Sequence, residues 1–234
     1  MKYLKSEINL GNNECAGDAV TAERLVALHI AELQQKLDSL PPEAPLDTRL
    51  RHTLDQGYAL LEGHLFDQAW RVARETLDAA VANHLWLRAV EACDILFQCD
   101  RGESVKALAH GIWLGVTFPI DPELSVAMLQ HLVDESPDRS DGAAVAAATA
   151  GYLVELRAAG KQREELQFFT HQLLGQVARN HSQVDEQEIF DFWVERLELN
   201  DPEKFLPRLG TVLNILTDND WWFDKAELQN QIPE

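Results

Sequence analysis

Residues 57–97 read GYALLEGHLFDQAWRVARETLDAAVANHLWLRAVEACDILF. Apolar residues recur in this stretch at steps of three and four residues, which is the spacing of one face of an α-helix. A glycine at position 63 breaks the pattern. The stretch therefore predicts a helix that ends near Gly63, a second helix that carries Ala69, Leu77 and Ala80, and a third helix over about 85–98.

Helical periodicity continues on both sides of this stretch. Before it, a narrow apolar seam predicts a helix over about 20–40 that contacts another helix, and Pro41 and Pro42 end that helix. After it, Asp121-Pro122-Glu123 and Asp201-Pro202-Glu203 each combine an N-cap residue with a proline in the first turn, so a helix is expected to begin at each. The seam consists of Val26, Ile30, Leu33, Leu37 and Leu40. The other helices are expected over about 46–62, 103–117, 121–134 and 142–159, around Ile189–Leu197 and after Asp201.

Signals for β-structure are weak throughout the sequence. Period-two alternation of β-branched residues is absent, and the one Asp-Gly pair, Asp141-Gly142, precedes an alanine-rich helical stretch. The fold class is therefore predicted to be all-α, with about nine helices. Because the loops between them are short, successive helices should pack as stacked antiparallel hairpins.

The predicted helices also suggest a division of the chain. We expect a flexible N-terminal arm over 1–19, a single all-helical domain over 20–217, and an acidic, aromatic C-terminal tail over 218–234. A further subdivision of the domain would fall near 135–141, where a polar loop separates two helices.

Residues 56–97 resemble a tetratricopeptide-type helix pair. The resemblance rests on the turn glycine Gly63, followed by small and bulky residues at Ala69, Leu77 and Ala80. No second copy keeps that family's period of about 34 residues. The resemblance implies a solenoid whose concave surface binds a protein or peptide and has no catalytic pocket. An irregular helical bundle would show the same periodicity, so both architectures stay open.

Charge narrows the class of partner. The 234 residues include 39 acidic and 20 basic ones, for a formal net charge of −19. Such a surface repels polyanions and speeds encounter with basic partners. We therefore expect no nucleic acid ligand, and a protein partner with a basic surface is the natural one. The same acidity could also serve solubility alone.

Cysteine usage and hydropathy bear on the compartment. Three cysteines, Cys15, Cys93 and Cys99, do not make the disulfide framework of a small secreted domain. No apolar run reaches the length of a signal peptide or of a membrane span. The expectation is a cytoplasmic protein without a membrane contact.

Motifs for catalysis or cofactor binding are absent from the sequence. Phosphate-cradling glycine loops, the G-x-S-x-G nucleophile motif and Glu-x-x-His metal pairs do not occur. We therefore assign no catalytic residue, no metal site and no cofactor. An enzyme or a small-molecule or metal-binding protein with a site between helices remains the alternative, built from some of the histidines His64, His84, His110 and His131.

Candidate contact residues follow from the leading hypothesis, a non-enzymatic acidic adaptor or chaperone-like factor that holds a segment of another protein. Aromatic side chains would anchor the partner and acids would steer it, although core packing is the competing role for each aromatic residue. The anchors are Tyr58, Trp70, Trp86 and Trp113, and the acids are Glu62, Asp67 and Glu91.

Two further groups of aromatic residues have alternative roles. Trp221 and Trp222, in the polar tail, either dock onto the last helices or anchor a partner. A second group, at helical spacing, is expected in the core: Phe168, Phe169, Phe190, Phe192 and Trp193. A third hypothesis for the whole protein is a structural subunit that forms oligomers through the helix over 20–40.

Overall fold

The computed structural model describes residues 3–4 and 16–230, and within them the secondary structure is entirely helical. This confirms the all-α prediction. Eleven helices are present in these residues, where about nine were expected: α1 Ala16–Asp38, α2 Leu46–Glu62, α3 Phe66–Ala82, α4 Trp86–Gln98, α5 Ser104–Thr117, α6 Pro122–Glu135, α7 Asp141–Arg157, α8 Gly160–Ser182, α9 Gln187–Arg196, α10 Pro202–Leu216 and α11 Lys225–Gln229.

Two helices were missed from the sequence, α8 and the short α11. Gly160 reads as the end of the alanine-rich helix, but it adopts a left-handed backbone, with φ of +55°, and immediately opens α8. The residue before it, Ala159, makes no capping hydrogen bond through its side chain, so the usual start signal is missing.

The chain divides into two compact units, and the boundary lies within α5. Lys5–Ala107 is called here the N-terminal unit, and Met1–Leu4 with Leu108–Glu234 the C-terminal unit. The sequence predicted one domain with a subdivision near 135–141, whereas this boundary falls earlier. Most of the predicted arm over 1–19 lies outside the described residues, and α1 already begins at Ala16.

In the N-terminal unit, consecutive helices pack against each other, and α2 also packs against α4. The apolar seam of α1 faces α2: a Cβ on Gly63 would lie 3.2 Å from Val26 Cγ1 and 3.3 Å from Ile30 Cδ1. Leu33, in the middle of the seam, is buried. The predicted helix contact is therefore made within the chain, and a role of this helix in oligomers stays a prediction.

The α2–α3 and α3–α4 turns repeat one design that was not recognised in the sequence. Gly63-His64-Leu65-Phe66 and Asn83-His84-Leu85-Trp86 hold the same positions twenty residues apart. His64 and His84 both adopt the left-handed conformation, with φ of 54° and 56°. The next residue of each turn then donates its N–H to the end of the preceding helix, at 2.9 Å in both cases. This closes the helix in the manner of a Schellman motif.

The C-terminal unit is built around α7, which packs against α6, α8 and α10. Residues 143–150 of α7 are all buried, because their small side chains allow neighbouring helices to approach from several sides. The predicted N-caps are confirmed: Asp121 and Asp201 each accept the backbone N–H two residues later, at 2.9 and 3.0 Å. Among the described residues, no helix combines the length and apolar content needed to cross a bilayer.

A glycine-to-leucine substitution tests the close approach of α2 and α4. A Cβ at Gly57 would lie 2.9 Å from Ile95 Cδ1, whereas nothing lies within 4 Å of one at Gly210 in α10. Gly57→Leu should lower the free energy of unfolding by about 1–3 kcal/mol through overpacking. The control Gly210→Leu should leave it unchanged or raise it, because leucine favours helix more than glycine does. Urea unfolding followed by circular dichroism measures both, and equal midpoints for the two variants would contradict the packing.

Candidate functional site

Three of the predicted contact residues come together at the α2–α3 turn of the N-terminal unit. Glu62 ends α2 and is exposed, Asp67 lies in the first turn of α3, and Trp70 is half-buried one turn later. Between them, Leu65 and Phe66 are 40% and 38% exposed. Apolar side chains that stay in water beside solvated acids are typical of a contact surface for another protein.

Arg101, from the α4–α5 connection, completes this surface. Its guanidinium forms an ion pair with Asp67, and its Cζ lies 5.4 Å from the centre of the Trp70 ring. The contact combines a salt bridge with a cation–π interaction. We call Glu62, Leu65, Phe66, Asp67, Trp70 and Arg101 the turn-end surface.

Part of the turn-end surface was not predicted from the sequence. Leu65 and Phe66 could have been found, because residues beside a turn glycine are normally at the surface. Nothing in the local sequence signals that Arg101 reaches Trp70, since that contact depends on how α3 and α4 pack.

Tyr58 and Glu91 lie in a different environment, a polar network between α2 and α4. The Tyr58 hydroxyl donates to Asp94 Oδ2 at 2.8 Å, and Arg88 donates to Glu91 Oε2 at 2.6 Å and to Asp47 Oδ1 at 2.9 Å. Burial alone would lower the pKa of Arg88, but hydrogen bonds and charge interactions with the two carboxylates raise it. Arg88 therefore stays charged between them.

The position of Glu91 corrects its expected role. Its side chain is 2% exposed and paired with Arg88, so its charge is not presented to a partner. The basic residue three positions earlier was the available signal, because residues at that spacing face each other on a helix.

Trp86 is the first residue of α4 and lies at the α3–α4 turn. Its ring stacks on that of His84, with ring centres 5.2 Å apart.

Trp113, Trp221 and Trp222 meet in an aromatic cluster of the C-terminal unit, centred on His110. His110 is fully buried, and its Nε2 accepts the backbone N–H of Trp222 at 2.8 Å. The Trp222 ring stacks on His110 at 4.3 Å, and the Trp221 ring lies 6.0 Å from that of Trp113. Residues 221–223 are therefore docked, as in the first of the two alternatives for the tail, but these ring contacts are with α5 and not with the last helices that were expected.

A lysine extends this cluster at its outer side. Lys225 Nζ lies 3.8 Å from the centre of the Trp221 ring and donates to Asn214 Oδ1 at 2.7 Å. Burial lowers the pKa of Lys225. The indole N–H of Trp221 is buried without a hydrogen-bond partner. Lys225 and Trp221 are thus occupied within the chain and are not presented as a free anchor.

The second aromatic group is only partly in the core. Trp193 is buried and Phe169 and Phe190 are half-buried, in line with the expectation. Phe168 and Phe192 are instead 66% and 65% exposed. Helical spacing shows that residues share a face, but it does not show whether another helix covers that face.

A polar pocket of about 190 Å³, not foreseen from the sequence, lies in the C-terminal unit beside His181. His181 Nδ1 accepts from Trp193 Nε1 at 3.2 Å and contacts Ser182 Oγ at 2.6 Å, while Nε2 contacts Asp141 Oδ1 at 3.0 Å. Both ring nitrogens are engaged, so the imidazole offers no free lone pair to a ligand. The lining consists of Val133, Asp134, Ser136, Pro137, Asp138, Arg139, Ser140, Ala143, Gln176, Val177, Asn180 and His181.

None of the four histidines of the enzyme alternative lines the polar pocket. His64 and His84 are exposed at opposite ends of α3, which is about 25 Å long at 1.5 Å per residue. They cannot meet in one site. His110 is buried in the aromatic cluster, and His131 is half-buried on α6. No group of three or more metal-binding side chains is placed to hold an ion in the part of the chain that the structure describes.

The two described cysteines are free and buried. Burial raises the pKa of the Cys93 thiol, and it raises that of Cys99 to about 11. Both are therefore protonated and unreactive near neutral pH. Cys15 lies outside the described residues.

Comparisons with known proteins give no relative: no protein-family model, no curated protein and no solved structure matches the chain.

Docking of the aromatic tail makes a prediction for stability. Trp222→Ala should cost roughly 2–3 kcal/mol of burial, which lowers Tm by about 4–12 °C for a protein of this size. Ile215→Ala, at an exposed side chain of α10, is the matched control and should change Tm little. Differential scanning calorimetry measures both, and the same Tm for Trp222→Ala as for the wild type would mean that the tail is not docked in solution.

Proposed function

We propose that this protein is a non-enzymatic protein-binding module, an acidic helical adaptor or chaperone-like factor that holds a basic segment of another protein. The turn-end surface is the observation that carries the proposal. It presents Leu65 and Phe66 in water beside the acids Glu62 and Asp67, and Asp67 stays 86% exposed although it pairs with Arg101. Burying the two apolar side chains would supply affinity, and the acids would select a partner of opposite charge.

Rigidity at this surface supports the same proposal. The α2–α3 turn is closed by the backbone hydrogen bond from Leu65 N–H to the carbonyl of Leu60, so the exposed side chains sit on a fixed frame. A preorganised surface loses less conformational entropy on binding. The resemblance of residues 56–97 to tetratricopeptide helix pairs points in the same direction, since that family binds peptides. The net charge of −19 favours a basic partner and disfavours nucleic acid.

The cytoplasm is the compartment that we propose. Support comes from the two free, buried cysteines among the described residues, which suit reducing conditions.

A small-molecule binding protein is the second candidate, favoured by the polar pocket beside His181. The pocket of about 190 Å³ is small, and its amides and hydroxyls suit a compact polar ligand. A ligand found in a thermal-shift screen of small polar metabolites should stabilise the wild type more than Asn180→Leu, which replaces an amide of the lining by an apolar side chain of similar length. The exposed control Phe168→Ser should keep the full shift. A shift that Asn180→Leu retains in full would place the ligand elsewhere.

Substitution at the turn-end surface tests the leading proposal. In affinity capture from native extract at low and high salt, the wild type should retain one stoichiometric protein partner, and high salt should weaken it. Phe66→Ser should reduce retention at least about tenfold, because an exposed aromatic anchor carries much of an interface's energy. Asp67→Asn should reduce it less and flatten the salt dependence.

Phe168→Ser is the matched control for this experiment, because it removes a phenylalanine exposed on a different helix. A partner retained equally by Phe66→Ser and the wild type would contradict binding at the turn-end surface. The absence of any partner at either salt would contradict the adaptor function.

A further inference from the structure

Helix α9, in the C-terminal unit, is a short helix with one firmly anchored side. Trp193 on this side is 3% exposed and donates its indole N–H to His181. At the end of the helix, the carbonyl of Leu197 accepts a hydrogen bond from Arg208 Nη1 at 2.6 Å. These contacts attach α9 to α8 and α10.

The opposite side of α9 is exposed and has apolar and acidic side chains, together with one basic side chain, Arg196. Ile189 and Phe192, three residues apart, are 50% and 65% exposed. The acids Glu188, Asp191 and Glu195 are exposed on the same helix. At about 100° per residue, the three acids lie on one flank of Phe192, and Ile189 and Arg196 lie on the other. The three acids outnumber the one arginine, so the exposed side is acidic. We call Glu188, Ile189, Asp191, Phe192 and Glu195 the α9 face.

Several occupants can be weighed for this face from its charge. A second copy of the chain in an antiparallel symmetric contact would bring the three acids against the same three acids, which is unfavourable. A parallel symmetric contact would offer the three acids only one basic side chain, Arg196. A polyanion is repelled by the three acids. An apolar stripe beside an acidic row instead matches a helix that has an apolar stripe and a row of lysine or arginine.

We propose that the α9 face is a second docking surface, separate from the turn-end surface, and that its occupant is a basic amphipathic helix of another protein. Phe192 and Ile189 contact the apolar stripe of that helix, while Glu188, Asp191 and Glu195 pair with its basic row. Trp193 and Leu197 attach the other side of α9 to its neighbours and leave this face available.

The test uses a defined probe with the full-length protein. The probe is a fluorescein-labelled helical peptide of leucine and lysine, with one leucine face and one lysine row, and its partner peptide has glutamate in place of lysine. Fluorescence anisotropy should show binding of the lysine peptide only. Phe192→Ser should weaken it at least about tenfold, as expected for an aromatic anchor. The charge variant Glu188→Gln/Asp191→Asn/Glu195→Gln should weaken it and reduce its salt dependence.

Phe168→Ser is the matched control, because Phe168 is as exposed as Phe192 but lies on α8. It should change the affinity less than about twofold. Hydrogen exchange with bound peptide should slow over 187–196 and stay unchanged over 62–70. Equal losses in Phe168→Ser and Phe192→Ser, or no loss in Phe192→Ser, would overturn the proposal.

Two other outcomes would also overturn it, and each has a distinct signature. Loss of peptide binding in Phe66→Ser but not in Phe192→Ser would assign the peptide to the turn-end surface and leave the proposed function intact. A molecular mass that rises with concentration in the wild type but not in Phe192→Ser would make a second copy the occupant. If the affinity capture finds no partner while the lysine peptide still binds the α9 face, the proposed adaptor function is contradicted and the proposal for the α9 face is supported.

Discussion

Close contact between helices at small side chains is the constraint on which each unit depends. In the N-terminal unit, Ala69, Ala73 and Ala80 are fully buried on α3, and α2 approaches Ile95 through Gly57. In the C-terminal unit, α7 contributes a continuous buried run over 143–150. Because the distance between two helix axes depends on the side chains at the contact, these positions bring the helices together and leave little room for aromatic rings.

Several large aromatic residues are placed at turns and helix ends, away from these contacts. Trp86 begins α4, Phe66 begins α3, and Trp222 lies beyond the last long helix. The two surfaces proposed for binding, the turn-end surface and the α9 face, lie where such a residue stays in water beside acids. Where the aromatic residues find a buried partner, as with His110, they stabilise the fold instead.

Much of the fold could be predicted from the sequence, because helix signals are local. The N-caps Asp121 and Asp201 and the apolar seam of α1 are confirmed. The start of α8 could not be predicted, since Gly160 is typical of a helix end and no side chain caps the new helix. The repeated turn went unrecognised because its period is twenty residues, shorter than that of the family used for comparison.

The candidate site was predictable only in part, because a local sequence pattern does not report contacts between residues that are distant in the chain. Glu62, Asp67 and Trp70 are neighbours along the chain, so one turn suffices to group them. The contact of Arg101 with Trp70 and the exposure of Phe192 depend on tertiary packing, which leaves no local pattern. The ion pair of Glu91 with Arg88 could have been inferred from their spacing of three residues on one helix. The spacing alone does not say whether Glu91 is buried in that pair or exposed to attract a partner.

The docked aromatic tail has a consequence for synthesis on the ribosome. His110 accepts its hydrogen bond from Trp222, which follows it by 112 residues. At about 5–20 residues per second, His110 waits about 6–22 s for the tail to be made. During that interval its imidazole and the Trp113 ring lack their final cover, so the C-terminal unit reaches its native packing only after Trp222 has been made. A chain that stops before Trp222 would therefore leave this aromatic surface open to chaperones and proteases.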